Sequence, residues 1–549
     1  MQKFKKTFVA LVMILVMAMP TVAFAQPAQD EPELIPVRAF FEEIGGTVEW
    51  QSEDTSIHIA IDGGAVVLFV GQAMAVVNEV LVTLQSEVSV LEGRAFVTEG
   101  DLMLMLGVFI ETMSTSMVFE LTEEARDIAL YDFDYMMNAI LQNSPWESVL
   151  NRTALAPFGF DFITYAGMFR SFIENMEPVE IRVLDENIFR AQFPIQEGDD
   201  ARSIAANYLF ALLNYEFAPH LGGIGHLGLR TLDIYTALLT AFLIQYNDDA
   251  LSSENNLHLQ RLIETYTSPS AVWFYGEIEL DPDAEIHDGF PSIQGNVVTE
   301  VLVPYVVAYL RINSFLSNPS YDDLVILPFL QEIQDFGHLI IDLRGNTGGL
   351  TTYFNELILR RLINEPIEIS TREFFAGGEL AVNFMGVALQ TALNTTSALE
   401  WHSILYTEIV TIENFLAENE MPLFDTNDLD RLDYVFLSRV MITPAYESIN
   451  FEGMVWLLID DMSMSASVLV AETALYTGFA TLVGENTSGV MGSTHIYIAL
   501  PNTGIIWRID IGYRTDAMGR SLEVYGVEPQ IRNFEDMDAV ETILTIIAF

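Results

Sequence analysis

The 549-residue chain has no cysteine, which excludes a disulfide framework and a lipid-anchored amino terminus. Basic residues are scarce: 24 Lys and Arg stand against 77 Asp and Glu, for a formal net charge of -53. Such a surface repels nucleic acid and anionic membranes, and suits either a solvated exterior or basic protein partners. After the first 25 residues no apolar run is long enough to span a bilayer. Hydrophobic residues nevertheless make up 51% of the chain, so the charge does not imply disorder.

Residues 1–25 have the makings of a secretory signal. Lys3, Lys5 and Lys6 precede an apolar stretch from Phe8 to Met19, and Ala23-Phe-Ala25 supplies a small-residue cleavage site. Loss of the three lysines leaves a net charge of about -56, and the mature protein is expected to be exported. The length suits two to four domains.

Two turns carry the chemistry. Gly453-Met-Val-Trp-Leu-Leu-Ile459 reads as a buried strand. Ala466, Leu469, Val470, Thr473 and Ala474 then recur at helical spacing, and Gly478 falls where the helix would end. Ser465 stands at the mouth of that helix, where free N–H groups and the positive dipole end favour a developing anion. A nucleophile and a plain helix cap, formed by Ser463 or Ser465, both fit this turn. The second turn is Gly337-His-Leu-Ile-Ile-Asp342-Leu-Arg344-Gly-Asn346-Thr-Gly348-Gly349, another buried strand entering a Gly-rich bend. It could present a pair of N–H groups to an oxyanion, or be a tight β-α turn and nothing more.

Taken with four further markers, the two turns resemble the C-terminal processing (tail-specific) family of serine peptidases. The markers are Tyr309-Leu-Arg-Ile-Asn-Ser-Phe315, Val483-Gly-Glu-Asn-Thr-Ser-Gly489, Leu500-Pro-Asn-Thr-Gly504 and Gly526-Val-Glu-Pro-Gln530, in the family's order. The resemblance implies a ClpP/crotonase-like α/β protease core at 299–549, with an insertion at about 365–450 that is mainly helical or mixed. It also implies an N-terminal helical subdomain at 131–260. Residues 232–246 and the run from Tyr208 are its clearest helices, and 114–130 read as a linker before it. The polar stretch 250–298 reads as an insertion or linker without the carboxylate-binding loop of a PDZ domain.

By the resemblance, Ser465 is the nucleophile, and the N–H groups of Ala466 and of Gly348 or Gly349 are the oxyanion donors. The family's usual lysine base is replaced by Val490, and its glutamate three residues after the serine by Val468. A branch that resembles the tricorn core protease uses serine, histidine and glutamate instead, and Glu523 matches its glutamate. Its histidine position is occupied by Arg311, which cannot accept a proton. His226, on the Gly-rich segment Gly223-Ile-Gly-His-Leu-Gly, is the first candidate for the base; His495 is the second, and His338 reads as structural. The function implied is a secreted serine endopeptidase acting on exported or unstructured proteins, without metal or other cofactor. The alternative is a catalytically silent relative that binds peptide or hydrophobic ligands in the same cleft.

Residues 33–113 form a separate α+β module. Leu34-Ile-Pro-Val-Arg38 and Gly93-Arg-Ala-Phe-Val-Thr-Glu resemble the two halves of the copper amine oxidase N-terminal-like domain, common on exported proteins of Gram-positive bacteria. This implies a stalk or attachment role, with cell-wall or envelope association. His58 is the module's single histidine, too few for a copper site.

Overall fold

A computed structural model describes residues 34–548, except 53–54, 62–63, 92, 114, 153–154, 184–195, 197, 219–227, 230–264, 266–267, 276–291, 395–401, 447 and 490–493. The chain divides into two units, Met1–Glu120 with Pro178–Ile195, and Leu121–Glu177 with Gln196–Phe549.

The first unit is β-rich. Five consecutive antiparallel strands run from Thr47–Gln51 to Val80–Thr83. In Ser56–Ile61 the alternation sends Ile57, Ile59 and Ile61 inward and leaves His58 outside. The inward residues meet Val37 and Phe41 of a short helix and Phe109 of the helix Glu99–Met113. The segment read as a linker, 114–130, does contain the boundary between the two units, at Glu120 and Leu121, but it has regular structure on both sides of that boundary. Thr115–Phe119 pairs antiparallel with Val179–Val183, and a helix begins at Glu123, capped by Thr122 Oγ1 accepting from Ala125 N at 3.3 Å.

The second unit is a mixed α/β core preceded by the helices Glu123–Asn143, Phe162–Glu174 and Ala201–Ala211. The segment 232–246 lies outside the described residues. The core elements are β1 (Val297–Val303), β2 (Val307–Ile312), α1 (Pro319–Glu332), β3 (His338–Asp342), β4 (Ile367–Phe375), β5 (His402–Thr411), β6 (Tyr434–Ile442), β7 (Met454–Ile459), α2 (Ala466–Thr477), β8 (Thr481–Gly484), β9 (His495–Ala499), β10 (Ile506–Asp510), β11 (Gly512–Arg514), α3 (Leu522–Tyr525), β12 (Ile531–Arg532) and α4 (Ala539–Ala548).

The principal sheet has the order β1-β2-β3-β7-β8-β12, parallel from β2 onward. Both faces are covered, which is why β3 and β7 read as unbroken apolar runs. On one face Leu339, Ile341, Leu457 and Ile459 join Ile326 of α1 and Val470 of α2. On the other, Ile340, Trp456 and Leu458 meet Ala539 and Ile543 of α4.

The segment 365–450 holds two helices, Glu379–Asn394 and Ile412–Glu418, but its framework is antiparallel sheet, in the order β5-β6-β4-β11. A third sheet joins Gly228–Leu229, β10 and β9.

The helix Glu123–Asn143 is tied to the Leu500-Pro-Asn-Thr-Gly504 turn through one buried carboxylate. Asp132 accepts from Asn502 N (3.1 Å), Asn502 Nδ2 (2.9 Å), Thr503 N (2.7 Å) and Thr503 Oγ1 (2.7 Å). Asp132→Ala would strand four donors, so a loss of about 3 kcal/mol or more is expected. Urea unfolding of parent and variant measures it.

Candidate active site

In a parallel sheet the loops at the carboxyl ends of neighbouring strands face one crevice. Here β3 and β7 are neighbours, Asp342 pairs with Leu458, and the turns that leave them are the two picked out by sequence.

The turn after β7 is built by Asp460 and Ser463. Asp460 Oδ1 accepts from Met462 N (3.1 Å) and Ser463 Oγ (3.0 Å), and Asp460 N donates to Ser463 Oγ (3.1 Å). Ser463 Oγ also lies 2.9 Å from Leu343 O, so its single proton is shared between that carbonyl and Asp460 Oδ1; the residue is fully buried, and this serine is structural. Ser465 occupies the N-cap position of α2 but does not behave as a cap. Its backbone has φ 52° and ψ -119°, its side chain bonds no helix N–H, and Oγ has no partner among the described residues. An L-residue in that region stores about 1–3 kcal/mol of strain. Sharp, strained strand-to-helix turns of this kind are how nucleophilic serines are presented.

The turn after β3 lies against the first. Gly345 N donates to Asp460 Oδ1 at 3.0 Å, and Met464 N donates to Asn346 O at 3.0 Å. Asn346 is buried and its side chain is the hub. Nδ2 donates to Ile312 O (2.9 Å), while Oδ1 accepts from Gly348 N (2.8 Å) and Ser467 Oγ (2.9 Å). Gly348 has φ +98°, and a Cβ there would come within 2.7 Å of Ser465 Cβ and 2.9 Å of Ala466 N. Gly349 has φ +134°, and a Cβ there would strike the Phe315 backbone at 2.4 Å. Both positions therefore demand glycine.

Of the expected oxyanion donors, Gly348 is corrected by this geometry: its N–H is already held by Asn346 Oδ1. The N–H groups of Gly349 and Ala466 carry no hydrogen bond among the described residues. Gly349 bridges to Phe315 through its neighbours, with Phe315 N donating to Gly348 O (2.9 Å) and Leu350 N to Phe315 O (3.3 Å).

Asp342, fully buried, fixes the strand end. It accepts from Tyr309 Oη (2.6 Å) and from Arg344 Nη2 (2.7 Å). Burial, with this bond, pushes the Tyr309 hydroxyl up to about 12. Burial opposes the Arg344 charge, but the Asp342 and Asp538 carboxylates outweigh it and raise the guanidinium above its ordinary value. Arg311 donates to Asn313 Oδ1 (2.9 Å) and Arg344 O (3.4 Å), so it braces the same turn.

A third segment closes on the serine turn. Ser488 N and Oγ both donate to Ser463 O at 3.1 Å, and Thr487 Oγ1 accepts from Val527 N at 2.8 Å. Gly489 lies directly on the carbonyl of Glu523, where a Cβ would approach to 2.5 Å. Glu523 is 3% exposed on α3, one loop away from the serine turn.

The histidines separate. His338 begins β3, roughly 13 Å of strand away from Asp342, and accepts from Trp456 Nε1 at 3.3 Å; burial lowers its basicity. His495 lies on β9 opposite Asp510, its ring edge-on to Tyr497. Neither bonds Ser465 Oγ. His226 lies outside the described residues, as does Val490. Two residues beyond His226, Gly228 pairs with Arg508 and Leu229 with Trp507. Val468 is fully buried in the core of α2. Among the described residues no His, Cys, Asp and Glu side chains gather as metal ligands, and no helix is long and apolar enough to cross a membrane.

The two turns, the Ser488 loop and the Glu523 helix all fall within one stretch of sequence that has known counterparts. Residues 306–533 match the model of peptidase family S41. That family is one of serine-type peptidases. Residues 19–116 match the model of the copper amine oxidase N-terminal domain. No curated protein matches the chain. Among solved structures, a putative peptidase from Parabacteroides merdae is 15% identical, over 76% of this chain and 96% of that one, with a TM-score of 0.37. Mature CPAF, solved with lactacystin, is 14% identical, over 74% and 94%, with a TM-score of 0.38. The tricorn protease is 14% identical, over 44% and 18%, with a TM-score of 0.23.

Sequence reasoning gave Asn346, Asp460 and Ser467 no role. The Asn346 signal was readable, since an asparagine whose Oδ1 accepts the N–H two residues on is a recognised turn former. Asn346→Ala would leave the Gly348 N–H and Ser467 hydroxyl buried and unbonded, and a loss of about 2–4 kcal/mol in urea unfolding is expected. Ser465→Gly would release the backbone strain and should stabilise by about 1 kcal/mol against Ser465→Ala, glycine's greater chain entropy offsetting part of the gain. A Gly variant less stable than the Ala variant in the same denaturation series would contradict the strained turn.

Proposed function

We propose that the core is a serine endopeptidase in which Ser465 Oγ attacks a peptide carbonyl and forms an acyl-enzyme. The observation that carries this reading is Ser465 itself, held at φ 52° with Oγ free of any cap bond among the described residues. An ordinary cap would give that oxygen to the helix N–H groups. The unbonded N–H groups of Ala466 and Gly349 flank the serine and serve as the oxyanion donors. His226 takes the Oγ proton as the new C–O bond forms and returns it to the leaving amine; water then hydrolyses the ester with the same histidine as base. Glu523 orients that imidazole. His338 lies at the far end of β3 from the two turns. The substrates are exported or unstructured proteins. The N-terminal module acts as an attachment unit at the cell envelope, and the mature chain works outside the cytoplasm.

One observation favours a second reading. Val468 is packed in the core and Val490 replaces the lysine, so a chain without a working base would bind peptides in the cleft without cleaving them.

Turnover of an unfolded protein and labelling by a fluorophosphonate separate the two. Parent protein should do both. Ser465→Ala should label not at all, and Ser465→Ala and His226→Ala should each lower turnover at least about a thousandfold, while His495→Ala leaves it within a few fold. Equal labelling of parent and Ser465→Ala would end the nucleophile assignment. Binding of the polypeptide by a parent that never cleaves it would favour the silent relative.

A further inference from the structure

Arginine is scarce in this chain, yet two arginines line one cavity. The space, of about 450 Å³, lies between α2 and the sheet that contains β4, β6 and β11. Ile369, Ile442 and Leu469 give it apolar walls, and Arg372 and Arg514 line it together with Glu368 and Glu472. Its walls begin close behind the serine and glycine turns, at Leu469, one helical turn from Ser465, and at Thr351, two residues after Gly349.

The charges in the cavity are unevenly matched. Glu368 is half-exposed and faces Arg439 at 3.7 Å. Asp516, beside the cavity lining, is paired with Arg520 at 2.7 Å. Arg514 reaches Glu472 only at 3.8 Å, and both side chains are mostly buried. The Arg372 side chain has no hydrogen bond and no ion pair among the described residues. Burial raises the Glu472 carboxyl above its ordinary value in spite of the fields of Arg514 and Arg372. A partly buried guanidinium with no acceptor gains strongly from an incoming carboxylate, which two planar forks can grip.

We propose that this cavity is a binding site for an organic carboxylate with an apolar body, held by Arg372 and Arg514 at its charged end and by Ile369, Ile442 and Leu469 along its length. The volume is within the range that small-molecule sites use. The two glutamates disfavour a doubly charged phosphate and leave a singly charged carboxylate as the better fit. The carboxylate can come from the chain end of an apolar peptide or from a free organic acid. The inference does not depend on peptide hydrolysis, because none of its residues takes part in the acyl transfer.

The test uses the full chain carrying Ser465→Ala, so that no probe is cleaved, with thermal unfolding as the check on folding. Fluorescence anisotropy follows an N-terminally labelled heptapeptide ending in Val-Leu, as the free acid and as the C-terminal amide. The acid should bind at least about tenfold more tightly than the amide. Arg372→Gln and Arg514→Gln should each weaken the acid about tenfold or more, Arg372→Lys should weaken it less, and Arg532→Gln, remote from the cavity, should change nothing. Glu472→Gln should tighten binding. Displacement by decanoate would assign the site to free organic acids, and displacement by the unlabelled peptide acid alone would assign it to chain ends. Equal affinity for acid and amide, indifference to both arginine substitutions, or equal displacement by inorganic phosphate would overturn the proposal. Hydrolysis is read separately on the parent protein, so an inactive parent that still binds the acid refutes the peptidase reading and leaves this one standing.

Discussion

The side chain of Asn346 is the constraint on which the site rests. One amide reaches three elements: the end of β2 through Ile312 O, its own glycine turn through Gly348 N, and the first turn of α2 through Ser467. A fully buried amide bonded through both Oδ1 and Nδ2 is held rigidly, because displacement leaves donors unbonded in a low dielectric. The glycine turn is thereby fixed against the serine turn, and the space between them is too narrow for any side chain at position 348. The same bond selects which N–H stays available. With Gly348 N held by Asn346, Gly349 N and Ala466 N are the pair left over.

Around this hub the sheet acts as a frame. Asp342 and Arg344 lock the end of β3, Asp460 and Ser463 lock the end of β7, and the Gly345 N–H joins the two. Each bond lies at the carboxyl end of the sheet, where polar groups find partners without losing strand packing. The strain at Ser465 persists because its neighbours on both sides are held this firmly. A serine free to relax would turn its hydroxyl back onto the helix and become the cap that its sequence position first suggests.

Local patterns were legible and distant pairings were not. The apolar runs of β3 and β7, the serine at the helix mouth and the double glycine all lie within a dozen residues of one another in each segment, and sequence placed them correctly. The Gly348 donor was misjudged because its acceptor is a side chain rather than backbone. Residues 114–130 read as a linker because the partner of Thr115–Phe119 lies at Val179–Val183, some sixty residues on. The framework of 365–450 was hidden for the same reason: β4 pairs with β11, which sits beyond the serine turn. The fold positions of the histidines cannot be deduced from spacing, since nothing local specifies which loop faces a crevice.

Asp132 sets a condition on when the core can finish assembling. Its four hydrogen-bond donors stand 370 and 371 residues further along the chain. A chain emerging end-first, from a ribosome or through a pore, holds an unsatisfied carboxylate on an amphipathic helix until residue 503 appears. The central strands β3 and β7 must likewise wait while β4, β5 and β6 are laid down between them. Non-local closure of this kind is slow and leaves apolar surface exposed meanwhile. The sequence answers with a dense negative charge that keeps half-made chains apart, so its acidity serves the molecule before it has folded as well as after.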